Sequence, residues 1–325
     1  MKVLVTGASG FIGRKLTFEL AEKGYEVIAL CRNPKHPWLV HHKNIIPCQG
    51  DILNVHSLKR AMKGCGKLYH TAALAKMWMP DPSAFHTVNV IGTRNVFEVA
   101  GNIGVSKMVY TSTCGVWGPS IKHPMNEEDP RTDGYAINYE RTKYLAEIEA
   151  KKFANQGLHI VTVNPSRVFG EGPVTGSNTV GRMVSAYLKG KWRMIPGSGD
   201  QVVNYAYLDD VVRGHVEAMN LGIPGERYIL GGEDISYKEF FDTLKKICGK
   251  KYTMIRVPQK LIEAYSYGQL IKTRITGLAP GFLPEFAERL KKDQKYSSLK
   301  ATANLNYTIT PFAKGLNKTV RYFQQ

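Results

Sequence analysis

Residues 1–13, MKVLVTGASGFIG, set Gly7, Gly10 and Gly13 at a regular spacing directly behind an apolar and β-branched run. Lys2 to Thr6 reads as a strand. From Gly10 to Lys23 the residues Ile12, Leu16, Leu20 and Ala21 fall close to a helical period, and Gly24 ends the helix. Strand, glycine turn and helix together have a specific use. Gly7 lets the chain reverse, Gly10 leaves its backbone open to a pyrophosphate, and Gly13 lets the helix lie close against the sheet. The helix N-terminus then offers free N–H groups and the positive end of its dipole to the phosphates. The stretch predicts a dinucleotide site at the first strand–helix turn.

Beyond this unit strands and helices keep alternating. Strands are expected at Glu26 to Cys31, Asn44 to Pro47, Leu68 to Ala73, Lys107 to Ser112 and His159 to Asn164. Helices are expected at Ser57 to Met62, Ser83 to Ile103 and Ile137 to Asn155. The alternation implies βαβ units, hence an α/β, doubly wound parallel sheet of the Rossmann type. After Pro165 a loop from Gly170 to Gly176 opens a region of shorter elements. We expect a dinucleotide-binding domain over 1–165 and a smaller, mainly C-terminal α/β substrate domain over 166–325. The chain should return to the first domain near 200–218, at NYAYLDDVVRG.

The 325 residues are 43% hydrophobic, enough for a large core. No apolar run is long enough to span a bilayer, and the N-terminus lacks the features of a signal peptide. Cys31, Cys48, Cys65, Cys114 and Cys248 are dispersed, which points to reduced thiols in a cytoplasmic protein and away from a metal or disulfide framework. The net charge of +17 suits nucleic acid, an anionic membrane surface or acidic ligands. No recognition helix, finger spacing or RNA-binding signature accompanies it, so no nucleic-acid partner is expected.

The end of the second strand bears on the cofactor. A ribose 2′-hydroxyl calls for an acid there, a 2′-phosphate for an arginine. In VIALCRNPKH, Cys31 holds the acid's place and Arg32 follows, with Asn33 and Lys35 close behind, which favours NADP(H). The GDI of Gly50 to Ile52 ends the third strand and offers Asp51 to the adenine amino group. Tyr139 and Lys143, in YERTKYLAE, share a helix face. An ammonium beside a phenol favours the phenolate, lowering its pKa from about 10 and making Tyr139 a usable proton donor and acceptor. Thr111, Ser112 and Thr113, in VYTSTCGVWG, end the fifth strand at the carboxyl edge where open α/β sheets bind ligands.

TGASGFIG, GDI, YHTAA, VNVIGT, YTSTCGVWG, the Tyr139–Lys143 pair and NPSRVFG occur in that order. Their separations resemble those of the extended short-chain dehydrogenase/reductases, over essentially the whole chain. AALAKMWMPDP, GERYILGGEDIS and the basic end of strand two most resemble the dihydroflavonol-4-reductase-like subgroup, which includes bacterial members described as hopanoid-associated sugar epimerases. The resemblance implies Tyr139 as acid/base with Lys143 as its partner. Matching VWG to the family's usual VYG puts the catalytic hydroxyl at Thr113. It further implies a cofactor site of Gly7, Ser9, Gly10, Phe11, Ile12, Gly13, Arg32, Asn33, Lys35, Asp51, Ile52, Thr71, Ala72, Ala73, Thr111, Tyr139, Lys143, Pro165 and Val168. Pro165 and Val168 would line the nicotinamide, and Asn89 would tie helix to strand.

Lys76, Met77, Trp78, Trp117 and Arg167 are expected to face the substrate. Sugar-nucleotide dehydratases of this family carry an Asp-Glu pair just after the catalytic hydroxyl. Cys114 and Gly115 stand there instead, so a dehydratase is not expected. The expected function is NADPH-dependent reduction of a small ketone or aldehyde to its alcohol. The alternative is an NAD-dependent sugar-nucleotide epimerase. A non-catalytic binding protein is disfavoured by the intact Thr113, Tyr139 and Lys143. The two long helices suggest a homodimer. The segment 259–290, apolar and basic by turns, reads as a substrate lid, a membrane-surface patch or an amphipathic cap on the small domain.

Overall fold

In the computed structural model, which describes residues 1–131 and 133–325, strand β1 (Lys2–Thr6) is buried along nearly its whole length. A strand covered on both faces suits the middle of a parallel sheet. β1 pairs in parallel with β2 (Glu26–Cys31) on one side and β4 (Lys67–His70) on the other, and β3 (Ile45–Gln49) lies outside β2. β5 (Lys107–Thr111) and β6 (Ile160–Pro165) continue beyond β4, and the late strand Arg227–Leu230 closes that side. The sheet thus has seven parallel strands, and its order reverses direction between β1 and β4. The crevice for ligands lies at that switch point, outside the carboxyl ends of the strands.

Alternate residues of β1 feed opposite cores. Val3 and Val5 pack with helix α1 (Phe11–Glu22) and the later helix Leu208–Leu221. Leu4 packs with α2 (Val55–Met62) and the helical run 83–103. That run comprises α3 (Ser83–His86), a π-helical turn (Thr87–Ile91) and α4 (Gly92–Ile103), so the expected single helix carries a π turn. Helix α5 (Asn138–Asn155) completes this face.

Two strand ends shift by two or more residues from the sequence expectation, each for a local reason. β3 runs through Pro47 to Gln49, which its position at the sheet edge permits, because no ladder donor is lost there. β4 stops at His70 because Thr71 turns away and its hydroxyl donates to the Thr6 carbonyl at 2.7 Å.

The remaining residues build smaller layers. β7 (Arg167–Phe169), β9 (Val202–Tyr207) and β11 (Glu233–Ser236) form a three-stranded sheet, and β8 (Met194–Pro196) pairs with β12 (Ile255–Val257). The strand Arg227–Leu230, β10, rejoins the large sheet after helix α7 (Leu208–Leu221), whereas β9 belongs to the small sheet. Helices α6 (Thr179–Leu188), α8 (Tyr237–Cys248) and α12 (Phe312–Gln324) enclose an aromatic core in which the Phe312 ring lies 5.3–5.5 Å from those of Phe169, Tyr205 and Phe240. Helix α11 (Leu299–Leu305) packs on α7. The segment 259–290 forms α9 (Gln259–Thr276) and α10 (Pro284–Arg289). Ser266 is the only buried residue of α9, with Ile262, Gln269, Leu270 and Thr273 half-buried beside it. Among the described residues no helix is long and apolar enough to cross a membrane.

Candidate active site

The glycine turn is packed at the limit of contact. Gly7 has φ +71°, and a Cβ there would lie 2.7 Å from the Ala72 nitrogen. A Cβ on Gly13 would lie 2.2 Å from the Gly7 carbonyl oxygen, so both positions exclude any side chain. At Gly10 a Cβ would meet only the Gly7 oxygen, at 3.1 Å, and the residue is exposed. α1 starts with no side-chain cap and no acid in its first turn. Its free N–H groups remain available where Gly10, Phe11, Ile12 and Gly13 line the main cavity. An uncapped, acid-free helix start over an open glycine fits a dinucleotide's pyrophosphate. Thr71, Ala73, Thr111, Pro165 and Val168 line the same cavity. Ser9 and Ala72 are half-buried beside it in the chain.

The end of β2 carries no carboxylate. Cys31 is buried, its thiol pushed up by burial, and it donates to the Asn33 carbonyl at 3.4 Å. Arg32 is exposed, and Asn33 accepts from the Lys35 amide at 3.0 Å. Asp51 accepts from the Leu53 amide at 2.9 Å. The Ile52 side chain is buried against Gly92, where a Cβ would meet it at 2.6 Å, so only the Ile52 backbone can serve a ligand.

At the ends of β5 and α5 the cavity gathers Ser112, Thr113, Tyr139 and Lys143. The Thr113 hydroxyl accepts from the Gly115 amide at 3.1 Å and faces Tyr139, whose phenolate it favours. Burial nevertheless outweighs that help and pushes the Tyr139 phenol up to about 12. This corrects the expectation of a lowered phenol. Lys143 supplies less charge than anticipated, because burial holds its ammonium down to about 7 against the pull of Glu147. Its Nζ donates to the Thr111 carbonyl at 2.7 Å and lies 4.3 Å from the centre of the Tyr110 ring. Thr111 is fixed in turn by His215, 2.8 Å from its hydroxyl. Asn89 bonds both backbone groups of Leu74 and donates to Thr142 on α5 at 3.0 Å, so it ties the helical run to the loop after β4 and to α5.

The substrate end departs further from the sequence reading. Lys76, Met77 and Arg167 line the cavity. Trp117 does not: it is 2% exposed and packs under the Arg227 guanidinium, 4.8 Å from its ring. An indole on the turn after β5 is drawn into the interior, which the VWG motif alone does not reveal. Trp78 is half-buried and also lies outside the cavity lining. Arg167 donates to the Tyr237 hydroxyl at 3.3 Å and has no carboxylate in salt-bridge reach among the described residues.

Several lining residues had no sequence signal. Glu140, next to Tyr139, pairs with Arg131 at 3.2 Å and with Arg289 of α10. Asn204, Gln294, Tyr296 and Arg289 arrive from distant segments. Only the position of Glu140 beside Tyr139 could have marked it. Cys114 is buried with its thiol pushed well up and donates to the Asn164 carbonyl at 3.1 Å. A Cβ at Gly115 would lie 3.1 Å from Glu140 Cγ.

A glycine turn at the switch point of a parallel sheet, with Thr113, Tyr139 and Lys143 beside it, suits an enzyme that binds a nicotinamide dinucleotide. The model of the NAD dependent epimerase/dehydratase family matches residues 3–231. The chain belongs to that family, within the extended short-chain dehydrogenase/reductases. It is 31% identical to a putative dihydroflavonol 4-reductase of Synechocystis sp., over 98% of this chain and 94% of that one. It is 29% identical to a 3-beta-hydroxysteroid dehydrogenase of Mycolicibacterium neoaurum, over 94% of this chain and 86% of that one. It is similar in structure to the UDP-glucose 4-epimerase of Thermotoga maritima solved with UDP-glucose. The TM-score is 0.82 at 25% identity, over 100% of this chain and 99% of that one.

The depressed Lys143 ammonium gives a pH test of the site's electrostatics. Between pH 7 and the ordinary lysine range, unfolding takes up a proton that the folded state lacks. Raising the pH through that window therefore favours the folded state. The melting temperature of the wild type relative to Lys143→Met should rise from pH 7 towards about pH 10, the ordinary lysine range. A flat difference across that window would mean that Lys143 keeps a normal pKa.

Proposed function

We propose that the protein is an NADPH-dependent reductase of a ketone or aldehyde. The observation that carries this reading is the end of β2, where buried Cys31 takes the acid's place and exposed Arg32 stands ready for a 2′-phosphate. The names of the two sequence relatives above, a reductase and a dehydrogenase, support it. When bound, the nicotinamide supplies the hydride for the carbonyl carbon. The Thr113 hydroxyl orients the carbonyl oxygen, and Tyr139 gives that oxygen its phenolic proton, completing the alcohol. Burial keeps Tyr139 protonated across neutral pH, the state that reduction uses. Lys143, fixed on the Thr111 carbonyl, stands one helical turn beyond Tyr139 and would hold a cofactor ribose when one is bound. Arg167, with no carboxylate partner, suits the polar end of a substrate. With Cys114 and Gly115 after Thr113, no acid is present at those positions to drive an elimination.

The likeness to the UDP-glucose epimerase supports a second reading, in which the cofactor stays bound and the hydride returns to the substrate. The two readings differ in stoichiometry. A reductase consumes one NADPH for each carbonyl reduced, whereas an epimerase turns over a sugar nucleotide with none consumed. We also propose a homodimer through α4 and α5, where Ile103, Tyr144 and Ile148 are exposed.

Tyr139→Phe should lower NADPH-dependent carbonyl turnover by about two to four orders of magnitude while cofactor binding persists. Near-normal turnover would remove Tyr139 from the chemistry. Titrations should show tighter binding of NADPH than of NADH, and Arg32→Ala should erase most of the difference. Equal affinities in the wild type would overturn the cofactor assignment. Light scattering at micromolar concentration should give the mass of two chains, and a monomer mass would contradict the dimer.

A further inference from the structure

Helix α9 presents an apolar face that none of the described residues covers. Leu261, Tyr265, Tyr267, Ile271 and Ile275 are 58–79% exposed, and Leu278 just beyond the helix is 62% exposed. Residues 261, 265, 268, 271, 275 and 278 follow helical spacing, so most of these side chains form one stripe along the outer side. The opposite side, with Ser266 buried and Ile262, Gln269, Leu270 and Thr273 half-buried, faces the protein. A stripe this long and this exposed marks an interaction surface.

The charges around the stripe select its partner. Lys260, Lys272 and Arg274 are exposed on this helix. Its single carboxylate, Glu263, is half-buried and neutralised by Lys291 at 2.5 Å. The outer face is therefore apolar and cationic, with no exposed acid on the helix. A second copy of the same face would set cation against cation, on a chain that already carries +17. An anionic lipid bilayer satisfies both features. Side chains such as Ile271 and Ile275 enter the boundary between headgroups and acyl chains, while lysine and arginine stay at phosphate level. A helix of 18 residues spans about 27 Å, long enough to lie in the plane of the surface. After a short loop, α10 contributes Phe286 and Arg289 to the cavity.

We propose that α9 is an in-plane anchor that docks this protein peripherally on anionic bilayers. The test is flotation of the full chain with vesicles of phosphatidylcholine alone and of phosphatidylcholine mixed with phosphatidylglycerol. The wild type should float with the mixed vesicles, bind the neutral ones weakly, and come off the mixed ones at high salt. Replacing both isoleucines, Ile271→Glu with Ile275→Glu, should cut partitioning about tenfold or more. Lys272→Glu with Arg274→Glu should weaken binding to the mixed vesicles alone. All four side chains are solvent-facing, so thermal melts of both variants should match the wild type. Failure of the wild type to float, or equal flotation of the isoleucine variant, would overturn the proposal. So would a dimer in solution that only the isoleucine variant dissociates, because that would assign the face to a second copy.

Discussion

A methyl group on Gly13 would sit 2.2 Å from the carbonyl oxygen of Gly7, and one on Gly7 would sit 2.7 Å from the backbone of Ala72. These two contacts hold β1, the start of α1 and the turn after β4 against one another, with only the Thr71 hydroxyl wedged among them. The rest of the site inherits that geometry. α1 can point its uncapped N-terminus into the crevice only because the helix lies this close to the strand. The close approach of Thr71 and Ala72 brings the end of β4, and beyond it β5 and α5, to the same cavity.

Burial then decides the electrostatics of the catalytic helix. In isolation, a lysine four residues from a tyrosine would ease the phenol towards ionisation. Inside this protein both groups are desolvated, and each moves towards its neutral form: Tyr139 upward, Lys143 downward. A neutral pair is the cheaper arrangement in a dry site. Glu147 and the Thr111 carbonyl favour the charged lysine only in part.

The sheet was legible because its signals are local. Apolar runs, helical periods and the glycine turn each sit within a dozen residues, and they gave the strands and the helices around the crevice. That Tyr139 and Lys143 share a helix face was legible for the same reason, and Thr113 was picked out by the family resemblance; the three line one cavity. What the sequence withheld depends on distant partners. Trp117 looked like a cavity residue until Arg227 covered it. Arg289 reaches Glu140 across almost half the chain. β3 runs through a proline because it is the edge strand, a property of the assembled sheet and not of the segment. The pattern of 259–290 left a lid, a membrane-surface patch and a packed cap open, and the exposure of Leu261, Tyr265, Ile271 and Ile275 appears only in the folded chain.

The π-helical turn at Thr87–Ile91 has a mechanical consequence. Asn89, 1% exposed within that turn, grips the backbone of Leu74 with one end and the Thr142 hydroxyl with the other. The wall of the crevice after β4 and the helix that carries Tyr139 are thereby riveted into one rigid jaw. Any opening of the crevice must then hinge on the other side, where Arg289 and Gln294 line it from the C-terminal segments. Shortening the turn by one residue would swing Asn89 about 100° around the helix axis and unfasten that jaw, even with every cofactor contact intact.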